Sequence, residues 1–432
     1  MKRRLLLGAI LFTGLIFIQA LPSQARTGIA TFPELAPLPL SLQLSAVREP
    51  LTVETIVDAA LEFSGATDTA AVAAKEKLVA LLRRFRDEVS DITAQAELGE
   101  RALTFLHKNL LTTYSVVQTR VDTTVETGVY NCVSSAVLYT IIARSVGLSV
   151  NGVRTADHAF CSILANGQQV DVETTNPWGF NPGAKKEFSD SFGKVTGYSY
   201  IPPGNYRDRR IIGEKELLGL ILVNRVSVYG DGRLYREALR PAVSAYTLTG
   251  TGEMRQVMFV ALSNFIAWLE MKPDYAQAAA FAEAVKASFG GSVDLSQSLQ
   301  NLYHNWVVSL LGAGAPADAE ALLSQPATRS VLEASDWMNL SIAAVQQRAQ
   351  IEAGAGGFLA AASIAGDGLI KIGRQQQLLQ TYEAYMHNAF AQLYNARKTA
   401  DARTVIDQGL AVYPDSSILL QDLDLVKKAG KP

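Results

Sequence analysis

Two cysteines and four histidines carry most of the covalent and acid–base chemistry open to this chain: Cys132 and Cys161, with His107, His158, His304 and His387. A thiolate, not a thiol, is the nucleophile, so a catalytic cysteine needs a feature that favours negative charge. Cys132 has one by position. Asn131 is a good N-cap, which puts Cys132 in the first turn of a helix, where free N–H groups and the macrodipole favour an anion. The same donors at Asn131-Cys132 suit an oxyanion. Among the histidines, His107 stands beside Lys108 on a helix and reads as solvated. His304 and His387 adjoin Asn305 and Asn388 in a later helical region and read as packing or hydrogen-bonding residues. His158 remains, 26 residues after Cys132, at the mouth of a hairpin.

The hairpin sorts the other candidates. Asn166-Gly167 separates two runs of strand character, Ala159 to Leu164 and Gln169 to Thr174, and Asn-Gly in that setting is a strong two-residue turn signal. Paired positions then sum to 333. His158 shares its face with Phe160, Ser162, Asp171, Glu173 and Thr175, since partners point the same way. Glu173 is diagonal to His158 and Asp171 is one dipeptide step further; either carboxylate suits the task of orienting an imidazole. Cys161, three residues after His158, points to the opposite face and reads as a buried core residue. That parity argues against a Cys132–Cys161 disulfide. It also argues against a zinc site built from Cys132, His158, Cys161 and a carboxylate, so no metal and no other cofactor is expected.

These residues need elements to hold them. Of the 432 residues, 48% are hydrophobic and 19% charged, an ordinary globular composition that excludes collagen-like, low-complexity and wholly disordered chains. The net charge of −2 provides no electrostatic footprint for nucleic acid. Lys2, Arg3 and Arg4, the apolar run Leu5 to Leu21 and Ser23-Gln24-Ala25 form the pattern of a signal peptide (1–25) cleaved after Ala25. The protein is expected to be exported, periplasmic or extracellular, with a membrane contact only if that segment stays uncleaved. Residues 26–51, with Pro33, Pro37, Pro39 and Pro50, read as an extended leader, and 52–95 as N-terminal helices. Cys132 to Val146 reads as a buried helix stopped by Gly147. Asn176 to Arg210 reads as a Pro- and Gly-rich connector whose first part, Thr174 to Phe180, lines the site; its Trp178 either meets substrate or packs on the core, the latter being the expectation. From residue 214 onward Ala-rich helix pairs recur about every 34–45 residues, with Asn224, Asn264, Asn305, Asn339 and Asn388 as markers, which suggests tetratricopeptide-like repeats over 214–432.

The residues Gly128-x-Tyr130-Asn131-Cys132, the helix end Ala143-Arg144-Ser145-Val146-Gly147-Leu148, His158-Ala159-Phe160, and an acid before Thr resemble the transglutaminase-like superfamily, whose core is papain-like. The resemblance spans about residues 96–185, so the domain is drawn as 96–213. The family's D-x-T motif falls on Glu173-Thr174-Thr175, with Glu where Asp is usual; Asp171 keeps the residue type but lacks the following Thr. The resemblance implies an α+β domain, followed here by the all-α repeat region. It implies thiolate attack on an amide carbonyl and an acyl-enzyme, with Cys132 as nucleophile, His158 as base and then acid, and Glu173 or Asp171 as the orienting group. Members include protein cross-linkers, peptide and amide hydrolases, glycan-amide cleaving enzymes and forms without catalysis. Hydrolysis of a protein or peptide substrate is the first expectation. The alternative is a non-catalytic scaffold that binds a protein partner on its helical repeats.

Overall fold

The computed structural model describes residues 30–183, 185–197 and 208–429; the expected signal peptide lies outside them. The chain divides into two compact units. One is the chain up to Trp268 with Glu283–Gly290, the other Leu269–Ala282 with Gly291 onward. The protein is mostly helical, with a small sheet region in the first unit and, among the described residues, helices in the second.

The helix Cys132–Arg144 is central to the first unit. Asn131 caps it: its Oδ1 accepts from the Val133 and Ser134 amides at 3.0 and 2.9 Å, and Ser134 Oγ accepts from the Asn131 amide at 2.9 Å. Such a capping box is worth about 1 kcal/mol of helix stability. Every residue from Val133 to Ala143 is buried, so the helix is enclosed around its whole girth as a core helix must be. The chain enters it through a parallel pair of short strands, β1 (Thr113–Tyr114) and β2 (Val129–Tyr130). Gly128, just before β2, has φ +77°, and a Cβ there would lie 2.8 Å from the Leu110 carbonyl oxygen, so the approach to Cys132 requires glycine.

A four-stranded antiparallel sheet packs on this helix. Its strands are β3 (Val150–Arg154), β4 (Ala159–Ala165), β5 (Gln168–Val172) and β6 (Arg210–Ile212), in the order β5-β4-β3-β6. Asn166 and Gly167 both have positive φ, +53° and +80°, as a two-residue hairpin turn demands. Ala165 pairs with Gln168, Ser162 with Asp171 and Cys161 with Val172, which is the register expected from the turn. Ala159, Cys161, Ile163 and Ala165 alternate into the core beside the helix.

Three segments depart from the sequence reading. The expected leader is not extended. Pro33–Leu35 forms a 3-10 turn and Pro39–Ser45 a helix, with Leu35, Ser41, Leu44 and Leu51 buried. Pro39 opens the helix at its first position, where a missing N–H costs nothing, so the Pro-rich stretch holds a helix. The connector contains the helix Lys186–Thr196, and β6 follows it. Nor does the core stop at Gly213: Leu217, Leu218, Leu220, Ile221 and Leu222 of the helix Glu214–Asp231, and Ala245 and Leu248 of Tyr235–Thr249, belong to the same apolar cluster as the Cys132 helix. Arg144, at that helix's C-terminal end, ties the parts together. Its Nε lies 3.1 Å from Glu214 Oε1, and its Nη2 donates to the Leu51 carbonyl at 3.1 Å.

The second unit holds the helices Val293–Gly312, Pro316–Leu323, Pro326–Val331, Ala334–Gly354, Phe358–Lys371, Gln376–Asn395, Thr399–Val412 and Ser417–Ala429. Polar ties recur across it at similar sequence distances. His304 Nδ1 meets the Asp336 carboxylate at 3.0 Å, Gln346 Nε2 donates to Thr381 Oγ1 at 2.9 Å, and His387 Nδ1 meets Asp422 Oδ2 at 2.8 Å. Of the marker asparagines, Asn305 makes a tie of this kind, donating to Glu270 at 2.8 Å, whereas Asn224, in the first unit, donates to Thr119 at 3.2 Å and Asn339 is exposed.

Candidate active site

Cys132, His158 and Glu173 converge at one end of the central helix. Cys132 is the first residue inside the Asn131 cap, partly exposed and with a free thiol. His158 immediately precedes β4, and its Nε2 lies 2.7 Å from Glu173 Oε2. The other oxygen, Oε1, accepts from the Thr175 amide at 3.2 Å and from Thr175 Oγ1 at 2.8 Å. One carboxylate oxygen is thus fixed by Thr175 while the other holds the ring. Burial opposes charge on His158, yet the Glu173 carboxylate and the Cys132 thiol beside it hold its pKa well above the usual imidazole value. Phe160 stacks near the ring with centroids 6.0 Å apart, and Phe192, from the helix in the connector, meets it edge-on at 6.3 Å.

The two carboxylates left open by sequence are separated by their partners. Asp171 lies in a fork of Arg209, with Nη1 and Nη2 at 2.8 and 2.5 Å, and the Arg209 guanidinium sits 5.3 Å above the Phe160 ring. The acid bonded to His158 is Glu173. Asn131 serves as the cap, and its Nδ2 donates one of its two hydrogens to the Val116 carbonyl at 3.1 Å. The Cys132 amide, by contrast, has no hydrogen-bond partner among the described residues. Cys161 is fully buried, with Sγ 3.3 Å from the Ala136 carbonyl oxygen and 3.6 Å from Thr140 Oγ1; burial pushes its thiol up to about 12.

His107 is not the solvated residue its neighbour Lys108 suggested. Its Nε2–H donates to the Thr174 carbonyl at 3.1 Å, its ring lies edge-on to Tyr130 at 5.8 Å, and burial lowers its pKa to about 4. Tyr130 donates its phenol to the Thr175 carbonyl at 2.9 Å, and Ser135 Oγ lies 2.9 Å from Thr174 Oγ1. Burial, and then the Glu173 charge, raise the Tyr130 pKa. His107, Tyr130 and Ser135 therefore brace the two residues that follow Glu173. The helical period of Leu103, Leu106 and Leu110 put His107 at the edge of a buried face, the one signal available for it.

Trp178 does not pack on the core, contrary to expectation: it is 57% exposed. The loop that carries it folds back on the acid, the Glu173 amide donating to the Gly179 carbonyl at 2.8 Å. Among the described residues no group of three or more His, Cys, Asp or Glu side chains is arranged to hold a metal ion, and no helix is long and apolar enough to cross a membrane. Set against known proteins, the chain matches no family model and no curated protein.

Proposed function

We propose that this protein is a cysteine enzyme of the transglutaminase-like, papain-like type, acting on amide bonds. The observation that supports this reading is the meeting of Cys132, His158 and Glu173, drawn from a helix start, a strand start and the end of a hairpin. Glu173 occupies Nε2 of the imidazole, which leaves Nδ1 to exchange a proton with the thiol. The Cys132 sulfur attacks the amide carbonyl to form a C–S bond, and the Cys132 amide, in the helix's first turn, donates to the oxyanion. The imidazolium then protonates the departing amine as the C–N bond breaks. Water, deprotonated by His158, attacks the resulting thioester, releases the acid and regenerates the thiol. Hydrolysis is favoured over transfer to an amine because the partly exposed thiol is open to water.

On this reading the chain is exported by its N-terminal segment and works in the periplasm or outside the cell. The C-terminal helices form a tetratricopeptide-like surface for a protein partner. Alkylation of the full chain with iodoacetamide at pH 7, followed by mass spectrometry, tests the chemistry. Cys132 should react far faster than glutathione, and His158→Ala should slow it at least about tenfold, the lower range of a lost acid–base partner. Reaction no faster than glutathione would leave a non-catalytic scaffold.

A further inference from the structure

Three large apolar side chains stand in solvent next to this site: Val116 at 58% exposure, Val117 at 65% and Trp178 at 57%. Their local settings do not explain them. Val116 and Val117 are the central residues of a tight turn closed by the Gln118 amide, which donates to the Ser115 carbonyl at 2.9 Å. Exposed turns favour Gly, Asn, Asp and Ser, each for a backbone reason that a β-branched residue lacks. The turn is bound to the nucleophile's cap, through Asn131 Nδ2 on the Val116 carbonyl at 3.1 Å and Ser134 Oγ on the Gln118 carbonyl at 3.2 Å.

Trp178 is held as firmly on the side of the acid. Its amide donates to Asn176 Oδ1 at 2.9 Å, and Asn176 Nδ2 donates to Ser191 Oγ at 2.7 Å. The next residue, Gly179, packs so tightly on Glu173 that a Cβ would fall 1.9 Å from the Glu173 carbonyl oxygen. A rigid backbone therefore presents an indole to water beside the residue that orients His158. A large side chain kept in water stabilises nothing in the free protein, and it gains contact area only when something covers it.

We infer that the Val116–Val117 turn and Trp178 are apolar subsites on the two sides of the reacting amide, and that the substrate is a peptide segment with large apolar side chains flanking that bond. The inference rests on the thiol chemistry proposed above. Peptidyl chloromethyl ketones test it on the full chain: Cys132 displaces chloride from the probe's CH2Cl carbon, and the adduct is followed by mass spectrometry. A probe with Phe in its peptide should label Cys132 about tenfold faster than one with Gly, the scale of a filled apolar pocket. The peptide of such a probe lies only on the acyl side of the reacting carbon. One of the two variants, Trp178→Ala or Val116→Ser with Val117→Ser, should therefore shrink that ratio to about threefold or less and the other should leave it unchanged, a split that a purely structural role would not produce. Equal rates for the two probes, faster labelling by the Gly probe, or an undiminished ratio in both variants would overturn the inference while rapid iodoacetamide labelling leaves the nucleophile standing. Slow iodoacetamide labelling would remove the nucleophile, and these subsites with it.

Discussion

Lowering the pH from 7 to 5 should cost the first unit about 2 kcal/mol through His107 alone. In the folded protein its pKa is about 4, against a reference of 6.5, because the ring is largely withdrawn from water edge-on to Tyr130, which outweighs the bond from Nε2 to the Thr174 carbonyl. As pH falls through 6.5 the unfolded chain takes up a proton that the folded chain refuses, so acid favours unfolding. The loss grows by about 1.4 kcal/mol per pH unit, reaches about 2 kcal/mol at pH 5 and levels off near 3 kcal/mol below pH 4. His158 works in the opposite sense. Its raised value adds stability that is complete below 6.5 and is lost as pH rises through the folded value. Comparing the parent with His107→Gln isolates His107, since a glutamine amide can still donate to Thr174 but does not titrate. Exposure of the buried Cys161 thiol in urea, read in a Cys132→Ala background, reports on this unit without the second. The parent should lose about 2 kcal/mol more than the variant between pH 7 and 5. Parallel pH profiles would refute the assignment of a neutral, half-buried His107.

The two carboxylates should separate in kinetics. Glu173→Gln should slow alkylation of Cys132 at least about tenfold, whereas Asp171→Asn, which disturbs only the Arg209 fork, should change it by less than about threefold; equal losses would contradict the pairing. Cys161 should remain unlabelled until unfolding, and Cys161→Ser should destabilise by only about 1 kcal/mol, because the Ala136 carbonyl at 3.3 Å can accept from the new hydroxyl. A loss above about 3 kcal/mol in chemical denaturation would mean that the hydroxyl finds no partner there. A chain ended at Gly213 should be insoluble, since it lacks the Leu217–Leu222 face of the core; a soluble, cooperatively unfolding product would show that the core closes without it.

How far the site was legible depended on the range of the forces involved. Asn131 capping a helix at Cys132 is a contact between sequence neighbours, and Asn166-Gly167 sets φ > 0 within two residues, so both could be read directly. The hairpin register then assigned faces by parity, which put Cys161 in the core and made Glu173 diagonal to His158. The choice between Glu173 and Asp171 was finally made by Arg209, 38 residues from Asp171, and no local pattern announces such a pair. Phe192 over His158 and His107 under Thr174 depend on chain returns of the same kind. The β6 strand, three residues long, carries too few alternations to show a period, and the prolines of 33–50 obscured a short helix that one of them starts.

The Arg144 link has a consequence for the order in which the protein is built. A nascent chain that has just emitted Thr175 already contains Cys132, His158 and the Glu173-Thr175 pair. It lacks Glu214, which meets Arg144 at the far end of the Cys132 helix, and the leucines of 217–222 that close the core around it. Until synthesis has passed about residue 249, that helix has an unfinished apolar face and no carboxylate for Arg144. The setting of Cys132 is thus tied to completion of a core that residues 96–213 cannot make alone. A chain that lacks the roughly 70 residues after Glu173 therefore carries its Cys132 thiol in an unassembled setting.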